Sequence, residues 1–357
     1  MILARWGRRA WGPSLVLLAV ILPALAAGAS LDALVEPGEW ERLQAAASAQ
    51  RPTFGEMFLG WCAAPAEGAA VVDDEQVARR VGEARLAQVF GVLACTMLGY
   101  LVCTLANGRA MALLSTLCFC VLPPVVSDGH VLRAETAVVM LQLLALLLVQ
   151  LLAMAQLPAA ASFRRAGGVA LGATAAACLG LAVASMPTMG GVLLFPSGLA
   201  TLAAILVGQR LWRALRRRSV AVWPARAAAR RLWPFAWFAL LSLLAAALLL
   251  VESRRPIGAG PIPHVGALLP DSVPLAAVLV ALAGLGSLRA LLRAGRRLGL
   301  CGRVGPDAAL LAYAAAALVH RGIHGAESDA LVAALPFAWL LAEGTTHACL
   351  LVAASRR

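Results

Sequence analysis

Three clusters of ionisable residues interrupt an otherwise apolar chain. The first is Val71-Val72-Asp73-Asp74-Glu75. Crowded carboxylates raise one another's pKa, which suits a general base or a cation ligand. The same acids, standing just before a helix, also serve as a cap and complement its dipole. The second cluster runs from Pro123-Pro124 through Ser127-Asp128-Gly129-His130 to Arg133-Ala134-Glu135-Thr136. It gathers two acids, a histidine and an arginine in one turn, and Glu135 begins the next helix. An ordinary polar turn with a Glu–Arg pair uses the same residues. The third is His320-Arg321-Gly322-Ile323-His324, followed by Glu327 and Asp329. His320 and His324 are four apart and can share a helical face, as metal ligands do. Gly322 and a loop position argue against a metal there. Capture of an anionic headgroup by Arg321 with the two histidines is the better use. His264 and Asp271 lie on a further loop. Glu343 is a lone acid in an apolar segment, with Gly344-Thr345-Thr346 behind it to hydrate it.

The elements that position these residues are membrane helices. The chain of 357 residues is 61% hydrophobic and 13% charged, with mean hydropathy +0.84. Soluble domains average roughly 45–50% apolar and 25% charged residues. Apolar segments fall at about 11–30, 86–106, 109–126, 134–156, 167–186, 189–209, 235–252, 272–292, 307–320 and 329–353. This predicts an all-α polytopic bundle of about ten spans forming a single integral membrane domain over 1–357. Residues 1–30 also resemble a signal peptide, with Arg5, Arg8 and Arg9 ahead of an apolar run.

The arginines orient the bundle. The net charge of +12 comes from arginine alone, in short clusters between apolar runs, so it points to an anionic membrane leaflet and not to nucleic acid. With both termini in the cytoplasm, 21 arginines fall inside and nine outside, and the loop at 210–234 is the richest. The reverse orientation would invert that bias. Every acid except Asp307 and Glu343 then lies on or at the edge of the outer side. The one long outer loop, 31–85, carries Trp40, Phe54, Phe58 and Trp61 at headgroup level, and 74–85 reads as a helix running into the second span. The eight cysteines mostly fall inside apolar runs and imply neither a disulfide framework nor a zinc site. Neither a phosphate-binding GxxxxGK[ST] loop nor HExxH occurs.

The layout resembles the GT-C superfamily of membrane glycosyltransferases, including its protein O-mannosyltransferase and aminoarabinose transferase branches. The matching stretches are Asp73-Asp74-Glu75, the run Leu86 to Leu122 with Asn107-Gly108-Arg109 between two helices, Pro123-Pro124, and Arg133-Ala134-Glu135. Gly180 to Thr188 and Ser328 to Pro336 are similar to later turns of that plan. The chain is short for the family, and Glu135 stands where an Asp is usual. The resemblance implies sugar transfer from a polyprenyl-phosphate donor at the extracytoplasmic face of the cytoplasmic or inner membrane. It implies a base among Asp73, Asp74, Glu75 and Glu135. Arg133, Arg254 or Arg321, with His130 and His324, would hold the phosphate. A divalent cation (Mg or Mn) fits such a site but is not required. The competing class is a non-catalytic membrane protein, either a transporter or an assembly subunit. Transporters usually show internal repeats and broken mid-membrane helices, and no convincing repeat is seen here.

Overall fold

The structure, a computed structural model, describes residues 74–128, 135–155, 163–185, 272–301, 305–324 and 330–355, with a few further positions elsewhere. Among the described residues eight α-helices are delimited, 237–244 are also helical, and there is no strand. They are α1 (Asp74–Asn107), α2 (Arg109–Cys120), α3 (Pro123–Asp128), α4 (Glu135–Ala155), α5 (Phe163–Ser185), α6 (Val273–Cys301), α7 (Pro306–His324) and α8 (Ala330–Ser355). Four helical stretches are long and apolar enough to cross a membrane: Val77–Asn107, Thr136–Met154, Val273–Arg296 and Leu331–Ser355. Arg109–Cys120, Ala170–Val183 and Pro306–Val319 are shorter apolar helices. The expected spans at 11–30 and 189–209, and the expected 210–234 loop, lie wholly or largely outside the described residues, while within the expected span 235–252 residues 237–244 are helical.

Helix α1 has 34 residues, about 51 Å of helix, well beyond a ~30 Å hydrocarbon core. The expected run of 74–85 into a span is therefore one continuous helix. It ends at Asn107 because Gly108 takes φ +88°, a backbone conformation that costs glycine little and other residues much. Its N–H donates to the Thr104 carbonyl at 2.9 Å, and α2 starts at once, so α1 and α2 are antiparallel neighbours. The segment expected as one span over 109–126 is broken. α2 stops at Cys120, and α3 begins at Pro123. Proline disfavours the helical conformation in the residue before it, which places the break at Val121-Leu122.

Two other helices run longer than the apolar pattern suggested. α6 continues to Cys301 and α7 to His324. Arg293 and Arg296, expected beyond the 272–292 span on the cytoplasmic side, are helical, as is Arg289 within it. So is Gly322, which does not interrupt α7.

Side-chain pairs fix the relative directions. Gln88 Nε2 bonds Thr136 Oγ1 between α1 and α4. Tyr313 donates to Gln142 Oε1 at 3.1 Å, and Gln150 Nε2 to the Pro306 carbonyl at 3.1 Å, between α4 and α7. Hence α1, α4, α6 and α8 run one way, and α2, α5 and α7 the other. Bonds between membrane helices are individually modest, on the order of 0.6–2 kcal/mol, but they set the register.

α8 is the hub and packs on α2, α3, α4, α6 and α7. Residues 331–344 are all buried, Trp339 and Glu343 completely. Its partner α6 is the opposite case, with Leu275, Val278, Val280, Leu288, Leu291 and Leu292 exposed. α6 turns only small residues inward: Ala283, Gly286, Ala290 and Ala294. Small residues let membrane helices approach closely. A Cβ added to Gly286 would sit 1.9 Å from the Leu340 carbonyl oxygen, and one on Gly344 would sit 1.8 Å from that of Leu282. Around Gly295 there is open space.

Gly344→Val is therefore expected to force α6 and α8 apart and to lower stability by at least about 3 kcal/mol, the upper end for overpacking. Gly295→Ala should leave stability unchanged or slightly raised. Thermal unfolding of both variants in detergent tests the pair, and equal effects would contradict the close contact.

Candidate functional site

The acids singled out in the sequence head helices at one end of the bundle. Asp74 and Glu75 form the first turn of α1, and Glu135 is the first residue of α4. They stand at different heights. Thr136 meets α1 at Gln88 and, through its carbonyl, at Cys95 Sγ, 3.6 Å away. Gln88 is fourteen residues beyond Asp74, about 21 Å along the helix. So α1 projects past the head of α4, and the backbone brings Glu135 to the level of Gln88 and not to that of Asp74. Arg321 and His324 lie in the last turn of α7, which ends at this same end. His320 is one turn from His324 on that helix, so the pair falls on one face. Asp73, His130, Arg133 and Arg254 lie outside the described residues. Among the described residues no group of three or more His, Cys, Asp or Glu is arranged to hold a metal.

Arg85 was counted in the sequence only as an outer-loop charge. It is 1% exposed, one turn from Gln88 on α1, and so sits at the level of the α4 head. Burying a guanidinium is costly unless it is paired, and Arg85 does make an interaction there. Sequence reasoning missed it because a 3.6-residue period over 74–85 was not extended into the span.

A second constellation lies at the opposite end, and its partners were not visible in the sequence. Glu343 on α8 is completely buried. Its Oε2 accepts from Arg293 at 2.5 Å and lies 3.3 Å from Nε of Arg289. Its Oε1 accepts from Asn107 Nδ2 at 2.7 Å. Arg293 also donates to Asn107 Oδ1, and Arg289 reaches the Glu343 carbonyl at 3.4 Å. Three helices thus meet on one carboxylate.

The expectation that Gly344-Thr345-Thr346 would hydrate this acid is corrected. Thr345 and Thr346 donate back to the Leu341 and Ala342 carbonyls of their own helix, both at 2.8 Å, and arginines satisfy the carboxylate. The signal that could have found them was the spacing of Arg289 and Arg293, four apart on a helix face.

No family model matches the sequence, and no curated protein matches it. Solved structures do resemble the fold. The Archaeoglobus fulgidus oligosaccharyltransferase in its apo form gives a TM-score of 0.54 at 14% identity, covering 96% of this chain and 51% of that one. The oligosaccharyltransferase AglB of the same organism, in complex with an inhibitory peptide and a dolichol-phosphate, gives 0.52 at 13% identity, covering 98% and 52%. ArnT from Cupriavidus metallidurans, bound to undecaprenyl phosphate, gives 0.46 at 16%, covering 94% and 60%. This chain spans about half the length of the oligosaccharyltransferases it resembles. At such identities the likeness is one of fold, and the fold is that of a helical membrane protein.

Glu343→Ala would leave two arginines without their carboxylate inside the bundle. Removing one partner of a buried ion pair costs about 3–5 kcal/mol, so this variant should unfold well below the wild type in detergent. The conservative Glu343→Asp should recover part of the loss. An alanine variant as stable as the wild type would show that the cluster contributes nothing.

Proposed function

We propose that this chain is a GT-C type membrane glycosyltransferase. It moves a sugar from a polyprenyl-phosphate-linked donor to an acceptor at the extracytoplasmic face. The carrying observation is the fold: nearly the whole chain follows the architecture of a membrane oligosaccharyltransferase, and one such structure holds a dolichol-phosphate. The helix-heading acids at one end of the bundle support the same reading.

The chemistry follows from where the donor must be. A lipid phosphate cannot leave the bilayer, so the sugar is presented at the membrane edge. The acceptor hydroxyl attacks the anomeric carbon, the bond from that carbon to the phosphate oxygen breaks, and the proton passes to a carboxylate. The polyprenyl phosphate leaves on the opposite face of the sugar, which inverts the centre. Asp74 or Asp73 is the base, with Glu75 beside it. Glu135 stands about 21 Å further along α1, so it does not share that hydroxyl. Its place is at the head of α4, orienting donor or acceptor. Arg133, Arg254 and Arg321, with His130 and His324, hold the phosphate, since guanidinium matches phosphate bidentately. The arginine bias favours both termini in the cytoplasm, and the apolar segments favour about ten spans.

A transporter or assembly subunit is the alternative that charged residues within spans would favour. The charged cluster described at Glu343 argues against an ion path there. Its carboxylate is fully buried and both oxygens are occupied.

Membrane vesicles supplied with a labelled polyprenyl-phosphate sugar test the assignment. Replacing Asp73, Asp74 and Glu75 by Asn, Asn and Gln should lower transfer by about 10²–10⁴-fold, the usual worth of a general base, with thermal stability retained. Full activity in that variant would sink the base assignment, and loss confined to Glu135→Gln would move the base to α4. Reporter fusions after Val220 and Arg303 should read cytoplasm and one after Arg255 the outside. The opposite pattern would overturn the sidedness.

A further inference from the structure

The Asn107 end of the bundle carries more positive charge than its own carboxylates neutralise. Arg289 and Arg293 share the single carboxylate of Glu343, whose other oxygen is taken by Asn107. One positive charge is left over. The sequence supplies just one other acid on that side, Asp307, which is buried at the start of α7. Both guanidiniums stay partly open, at 25% and 24% exposure. Arg296 is exposed, and positions 289, 293 and 296 recur at i, i+4 and i+7 on one face of α6. On the flank next to them Leu288 and Leu292 are 51% and 53% exposed. The open arginines therefore emerge among leucines that face acyl chains, at the level where headgroups begin.

We propose that Arg289, Arg293 and Arg296 form a binding site for the phosphodiester headgroup of an acidic phospholipid in the inner leaflet. With Arg296 included, the three guanidiniums exceed the Glu343 carboxylate by two charges; a phosphodiester monoanion offsets one of them, and guanidinium pairs with phosphate through two parallel hydrogen bonds. Basic sites beside membrane helices on the cytoplasmic side are suited to such headgroups. The exposed leucines select a lipid over a free anion, because only a lipid also covers them. The site lies at the end of the bundle away from the helix-heading acids and rests on the proposed function only for its sidedness. Glu343 acts on it through charge, since its carboxylate already pairs with Arg289 and Arg293.

The test uses the full chain in nanodiscs of phosphatidylcholine, with and without phosphatidylglycerol. Thermal unfolding is followed, and lipids retained on the protein are counted by mass spectrometry. Phosphatidylglycerol should raise the midpoint by several degrees and remain bound in preference to phosphatidylcholine. Arg293→Gln leaves a neutral Arg289–Glu343 pair, and Arg296→Gln removes an exposed cation. Each should lower phosphatidylglycerol retention several-fold. Because Arg296 is exposed, its variant folds normally and keeps the test decisive even where Arg293→Gln does not. Glu343→Gln removes the competing carboxylate and should raise retention above wild type, a direction that a purely structural cluster does not produce. Equal behaviour in the two lipids, or unchanged retention in the Arg296 and Glu343 variants, would overturn the site. So would millimolar inorganic phosphate reproducing the shift in phosphatidylcholine, which would mark a free-anion site. Lipid retention needs no sugar transfer, so a failed transfer assay with intact retention would fall on the enzymatic reading alone.

Discussion

A carboxylate inside a membrane-spanning bundle persists only with cations and donors beside it, and α8 carries one at Glu343. Its charge is met by Arg289 and Arg293 from α6 and by Asn107 from the end of α1. That meeting requires α6 and α8 to touch backbone to backbone. The glycines at 286 and 344 allow it, since a side chain at either position would overlap a carbonyl of the other helix. The apolar packing and the ion cluster are therefore one arrangement. Without the small-residue face of α6, the guanidiniums would stand a side-chain layer away from the carboxylate. Without the charges, the close approach would still be tolerated, but the rotation of α6 about its axis would be less sharply set.

The same reasoning extends outward from α8. Apolar side chains do not drive helices together in lipid, which is itself apolar, so register must come from shape and from polar contacts. The pairs Gln88–Thr136, Gln142–Tyr313 and Gln150–Pro306 lie along α4 and bind it to α1 on one side and α7 on the other. Edge-on contacts of Tyr313 and Phe238 with Phe195, at 5.7 and 5.8 Å between ring centroids, fill the space beside them. The residue pairs place the start of α4 well down the length of α1. The first turn of α1, with Asp74 and Glu75, consequently lies about 21 Å along the helix from the level of Glu135. Any substrate that uses both must extend along that height.

Much of this fold was legible before any coordinates. Apolar segments of sufficient length can only be helices in a bilayer, because no water is present to satisfy an open backbone. That is why 134–156, 167–186 and 329–353 agree closely with α4, α5 and α8. The misjudged positions were those where helix geometry and hydropathy part company. Arginines end a hydropathy window but do not end a helix, so α6 was expected to stop near 292 and continues to Cys301. Proline hardly changes hydropathy, so the apolar span was carried to 126 although the Pro123-Pro124 pair was read as part of the turn, and the helix stops at Cys120. Gly322 and the polar residues around it looked like a loop, yet α7 passes through them.

Composition and patterning alone determined that the chain is a helical membrane protein and that Asp74 and Glu135 head helices. These are one-dimensional properties, set by the transfer free energy of successive residues into lipid. Which residues meet across helices was decided only in three dimensions. Glu343 and Arg293 are fifty residues apart, and Glu343 and Asn107 more than two hundred. Nothing in a hydropathy profile encodes rotation about a helix axis or the distance between two axes. Both depend on where the smallest side chains fall on facing helices. At α6 and α8 the glycines that permit contact also bring the charges together.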